Sequence, residues 1–212
     1  MITLTLPDAE LPGDLVIPDG SRGVVLFAHG SGSSRHSPRN RAVAEGLNAA
    51  GIGTLLIDLL TEPEEEADRV TAALRFDIDL LTRRLVGAVD GLAEGLEAAP
   101  HTAGLPIGLF GASTGAAAAL GAAAARPEKI AAVVSRGGRP DLAGPSLPQV
   151  QAPVLLLVGG RDTEVLELNE QAHRSLPVSE VHVISGATHL FEEPGALEEV
   201  TAQAADWFNR YL

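Results

Sequence analysis

The sequence predicts an α/β protein: one domain over residues 1–212, built on a mostly parallel, twisted sheet of about eight strands with helices on both faces. Three observations predict it. Several short runs, VVLFA and LLLVG among them, are apolar at every residue, which marks strands buried on both faces. These runs alternate with longer segments of helical periodicity, the pattern of parallel strands joined by helices. Glycine and alanine are abundant, which suits close packing of helix on sheet.

The elements follow in order. Ile2–Leu6 and Asp14–Ile17 read as two short opening strands. PDGSRG is a turn that leads into VVLFAHG, the first buried strand. Ser37-Pro38 supplies an N-cap and a first-turn proline for a helix to about Ala50. Gly51 ends it, and IGTLLIDLL is the next strand. The acidic run TEPEEEADRV reads as a solvated loop, followed by a helix over Phe76–Ala98. LPIGLFG is a strand, Thr114–Ala125 a helix and KIAAVVS a strand. APVLLLVGG is the next strand, Glu164–Ser175 a helix, EVHVIS the last strand and Gly195–Tyr211 the closing helix. In that helix Leu197, Val200, Ala204, Trp207 and Phe208 recur at helical spacing.

The formal net charge of −13 argues against nucleic acid or an anionic membrane as partner, since both need clustered Lys and Arg. With no cysteine there is no disulfide, no thiolate metal site and no cysteine nucleophile. MITLTLPDAE lacks the pattern of a signal peptide, and no apolar run reaches membrane-spanning length, so the expected location is the cytoplasm. No histidine pair has the spacing of a helical metal site, and no phosphate-cradling glycine loop follows the first long strand. Neither a metal nor another cofactor is expected.

Parallel sheets place ligands at the carboxyl ends of their strands. Three of those ends carry Ser113, Asp162 and His189, in that order. Ser113 lies in GASTG between a strand and a helix, the setting of a nucleophile elbow, in which small neighbours let the turn expose the hydroxyl. A serine needs a general base, and His189 after the last strand suits that role. The imidazole needs a carboxylate to orient it, which Asp162 would supply; capping the following helix is the less favoured alternative role for this aspartate. The backbone N–H groups of Thr114 and Ser31 are the candidate oxyanion donors, with Gly32 beside Ser31 as an alternative donor or substrate contact. His29 reads as structural, orienting the loop that carries Ser31.

GASTG, GGRD and GATHLF together resemble the α/β-hydrolase fold, in the dienelactone-hydrolase-like group of small hydrolases. AHGSGSSRHSPRN, VVSRGGRPDLAG and ATHLFEEPGALEEV are similar to a subgroup sometimes fused to a phosphoribosyltransferase domain, and no such domain is read in this sequence. The resemblance implies Ser113 as nucleophile, Asp162 as acid and His189 as base. Dienelactone hydrolases themselves use a cysteine in the elbow, so a serine here points to ordinary carboxylic esters.

The stretch Arg136–Ala152 is short and rich in Pro and Gly, which predicts no substantial cap and an open, shallow site. Positive charge near the strand ends (Arg35, Arg39, Arg41, Arg136, Arg139) raises the idea that Arg35 or Arg139 binds a substrate carboxylate. Pairing with Asp58, Asp141 or Glu192 is the preferred alternative. The expected function is a serine hydrolase that cleaves small-molecule carboxylic esters through an acyl-enzyme. The rivals are a thioesterase, lactonase or acyltransferase on the same residues, and a non-catalytic binding or regulatory module.

Overall fold

The computed structural model describes all residues, 1–212. One eight-stranded sheet runs in the order β1-β2-β4-β3-β5-β6-β7-β8. Its strands are β1 (Ile2–Thr5), β2 (Glu10–Val16), β3 (Val24–Ala28), β4 (Gly53–Ile57), β5 (Ile107–Ala112), β6 (Ile130–Arg136), β7 (Val154–Gly159) and β8 (Ser179–Ile184). β1 and β2 are antiparallel, and β3 to β8 are mutually parallel. The helices are α1 (Pro38–Ala49), α2 (Glu62–Thr71), α3 (Ile78–Glu94), α4 (Thr114–Ala125), α5 (Thr163–His173) and α6 (Ala196–Tyr211). No helix is long and apolar enough to cross a membrane.

Strand alternation divides the core into two layers. Val24, Leu26 and Ala28 face the side covered by α3, α4 and α5, whereas Val25 and Phe27 face the side covered by α1 and α6. Both sides of β3 are thereby apolar, which is why its sequence shows no polar alternation. Phe27 stacks on Phe110 of β5 with ring centroids 4.7 Å apart. The small residues of α4 let it sit deep against the sheet, and every residue from Thr114 to Leu120 is buried. This central helix and β5 hold the GASTG turn between two rigid elements.

Two elements differ from the sequence expectation. The acidic run is α2 rather than a loop: Thr61 caps it by accepting from the Glu64 N–H, and the Glu64 carboxylate accepts from the Thr61 N–H. β2 begins at Glu10, earlier than Asp14, because its first half pairs with β1 while Gly13–Val16 pair with β4. The Pro- and Gly-rich stretch after β6 forms 3-10 turns over Pro140–Gln149, and its Ala143 and Leu147 join the core beside α4. It folds down onto the domain and forms no cap.

Candidate active site

Ser113 stands between β5 and α4 with φ 51° and ψ −120°, a conformation that side-chain-bearing residues rarely adopt. Its N–H donates to the Arg136 carbonyl at 3.2 Å, and its own carbonyl accepts from the Arg139 N–H at 3.1 Å. The elbow is thus pinned from β6 and the segment after it. Ser113 occupies the N-cap position of α4 yet makes no cap bond, unlike Ser37, Thr61 and Asp77 at their own helices. The flanking glycines are explained by contact. A Cβ on Gly115 would lie 2.3 Å from the Ala28 carbonyl oxygen, and one on Gly111 would lie 2.4 Å from the Ala116 Cα. Neither glycine has positive φ, so Ser113 itself carries the strained backbone.

Asp162 follows β7 and occupies the N-cap position of α5, again without a cap bond. Its Oδ2 accepts instead from Nδ1 of His189 at 2.6 Å. Of the two roles open to this aspartate in the sequence, capping is the one it does not perform. The bond fixes the imidazole with its proton on Nδ1 and leaves Nε2 free to accept. His189 sits in the loop after β8, where the Glu193 carboxylate accepts from the Thr188 N–H at 3.1 Å. The Thr188 hydroxyl, followed by this backbone contact, holds the Glu193 carboxyl below the usual carboxylate range. Ser113 and His189 line one pocket of about 240 Å³, and no hydrogen bond joins them.

The loop after β3 closes the other side of Ser113. His29 is buried there, and its Nε2 accepts from the Leu59 N–H at 3.1 Å. Its proton therefore lies on Nδ1, which donates to the Gly30 carbonyl at 3.0 Å. Burial pushes the His29 imidazole below its ordinary pKa, which keeps it neutral. This residue ties the end of β3 to the segment after β4. Ser31 lines the Ser113 pocket and also a larger cavity of about 380 Å³ that reaches Thr114. The Thr114 N–H belongs to the first turn of α4 and has no intrahelical acceptor. Gly32 lines the larger cavity as well.

The two arginines considered for substrate binding are engaged elsewhere. Arg35 pairs with Asp58, and its backbone N–H also donates to that carboxylate, at 2.7 Å. Arg139 forms a two-point pair with Asp141 at 2.8 and 2.7 Å. Neither lines the two cavities beside Ser113, and both make the carboxylate pairing that is the preferred alternative to substrate binding. The cations that line the Ser113 pocket are Arg39 and Arg136. Sequence reasoning grouped these two with the other strand-end arginines and could not single them out, because the difference lies in which carboxylates are within reach.

The site is also less bare than the sequence implies. α2 and the turn Leu74–Phe76 wall the larger cavity with Glu65, Asp68, Arg69 and Arg75. Asp68 is the only buried residue of α2. It accepts from the Leu74 N–H at 2.7 Å and from Arg75 Nε at 2.6 Å. Glu64 accepts from Arg84 of α3 at 2.8 Å. The α2 wall is held largely by polar contacts, with Leu74 packing on the core and Val70 and Phe76 exposed to solvent.

The model of the family described as "Dienelactone hydrolase family" matches residues 11–212. The chain belongs to the dienelactone hydrolase family. Among solved structures it resembles a dienelactone hydrolase from Anabaena variabilis, 57% identical over 100% of this chain and 96% of that one, with a TM-score of 0.96. Est1E from Butyrivibrio proteoclasticus, 17% identical over 99% of this chain and 97% of that one, has a TM-score of 0.80 and so shares the fold of this family member. A Mycobacterium tuberculosis protein provisionally named a phosphoribosyl transferase is 58% identical over 94% of this chain. The chain spans 44% of that longer protein's length.

Proposed function

We propose that this member of the dienelactone hydrolase family is a serine hydrolase of small carboxylic esters, with Ser113 as nucleophile, His189 as general base and Asp162 as its orienting acid. One observation carries the reading. Asp162 and Ser113 both occupy helix N-cap positions and neither caps; one side chain instead bonds His189, and the other is offered to the pocket that His189 lines.

Ser113 Oγ attacks the ester carbonyl as His189 Nε2 takes its proton. Asp162 stabilises the imidazolium through Nδ1–H. The Thr114 and Ser31 N–H groups meet the tetrahedral oxyanion. His189 then returns the proton to the departing alcohol. It next activates a water that cleaves the acyl-enzyme and regenerates Ser113. The missing Ser113–His189 hydrogen bond agrees with a free enzyme whose catalytic contacts tighten on substrate binding.

The cavity favours short or polar groups. Of its lining, only Leu59, Leu60 and Leu81 are apolar side chains of size, so a long alkyl chain would gain little burial. The test is hydrolysis of p-nitrophenyl acetate, butyrate and octanoate, with a thioester and a lactone alongside. Activity should fall with chain length and drop by at least about 1,000-fold in Ser113→Ala. Equal rates in the wild type and Ser113→Ala would overturn the assignment, and a faster thioester or lactone would move the same machinery to that substrate.

A further inference from the structure

Of the two arginines less than one-tenth exposed, Arg84 lies between the Asp8 and Glu64 carboxylates. The other, Arg136, is 8% exposed and forms no ion pair. Its Nη2 donates to Asn40 Oδ1 at 3.2 Å, and its guanidinium lies 5.9 Å from the Phe191 ring centroid. Nε and Nη1 have no partner. Burial, with the Arg39 charge adding to it, lowers the Arg136 pKa to about 10, so the group is still a cation at neutral pH. A buried cation without a counter-charge is costly to keep. Arg39 also lines this pocket, and its buried Nε is likewise unpartnered. Its one charged contact is Nη1 to Glu192 at 3.3 Å, and the Glu192 side chain is 66% exposed, which makes it a weak rim pair. No carboxylate lines the pocket, whereas Ser113 and His189 do.

We propose that Arg136 and Arg39 form a binding site for a phosphoryl group, and that the esters this protein cleaves carry one near the scissile carbonyl. The proposal rests on the serine hydrolase reading for its second half. Two guanidiniums around about 240 Å³ are matched by a dianion, and a phosphate monoester carries about −1.5 to −2 charges at neutral pH. A carboxylate would answer only one of them. The two guanidiniums that line the pocket supply charge-assisted hydrogen bonds to the phosphoryl oxygens. The ester carbonyl then falls to Ser113 on the same pocket wall.

The experiment titrates inorganic phosphate into the full chain by calorimetry at constant ionic strength, with acetate in parallel, and repeats both as inhibition of p-nitrophenyl acetate hydrolysis. Phosphate should bind at least about 10-fold more tightly than acetate and compete with the ester. Arg136→Gln should weaken phosphate by about 10-fold or more. Arg39→Gln, at a partly exposed position, should do the same and covers the case in which the Arg136 variant fails to fold. Phosphate that does not bind an active esterase overturns the proposal, as does acetate bound equally well or affinity that survives these substitutions. Wild-type hydrolysis and wild-type calorimetry separate the two readings: absent esterase activity sinks the hydrolase assignment, whereas absent phosphate binding sinks only the phosphoryl site.

Discussion

Ser113 holds its hydroxyl in place with a backbone that a glycine would adopt more easily. Such strain costs on the order of 1–3 kcal/mol, partly offset in a glycine variant by the entropy of the unfolded chain. Ser113→Gly should therefore raise the thermal midpoint by about 2–4 °C while abolishing hydrolysis. A midpoint that falls would mean the elbow is relaxed. At this scale the sequence is highly legible where topology dictates position. Ser113, Asp162 and His189 all follow from the rule that chemistry gathers at strand ends, and the structure brings Asp162 onto His189. Arg136 ends β6 and obeys the same rule, but position alone does not separate it from the other strand-end arginines. Pairing with Asp58 and Asp141 is the preferred expectation for Arg35 and Arg139, and both pairs form, but a sequence does not show that a third arginine is left with no carboxylate in reach.

Among elements, the loop after β3 depends on a neutral His29. Its Nε2 accepts from the Leu59 N–H, an interaction that protonation removes. With its folded pKa below the unfolded value of about 6.5, this group gives stability that is fully present above that value. The unfolded chain takes up the proton first as the pH falls, so the stability is lost from about 6.5 downward, towards the folded pKa. The thermal midpoint should drop between pH 7 and 5, and His29→Asn should flatten that part of the profile. An unchanged profile in the variant would assign the acid sensitivity elsewhere. α2 shows the limit of reading elements from hydrophobic pattern. Its face buries Asp68 alone, so there is no apolar stripe to detect. Local chemistry did announce it, through Thr61 and Glu64 in a capping box with Pro63 in the first turn, but the density of charge masked that signal.

For the molecule as a whole, 28 acidic against 15 basic residues leave a surface that repels itself. Raising ionic strength from about 0.01 to 0.15 M shortens the screening length from roughly 30 to 8 Å, and the thermal midpoint should rise. A fall would mean that the surface ion pairs outweigh the net repulsion. The doubly covered sheet was the most legible feature at this scale, because fully apolar strands leave no other arrangement that hides both faces. The α2 part of the larger cavity's wall stands outside the apolar core. Neither of the two apolar cores draws a residue from α2. Glu65 and Arg69 can therefore diverge under selection for new ligands with the scaffold unchanged, so that the protein's chemical diet and its foldability evolve along separate stretches of the chain.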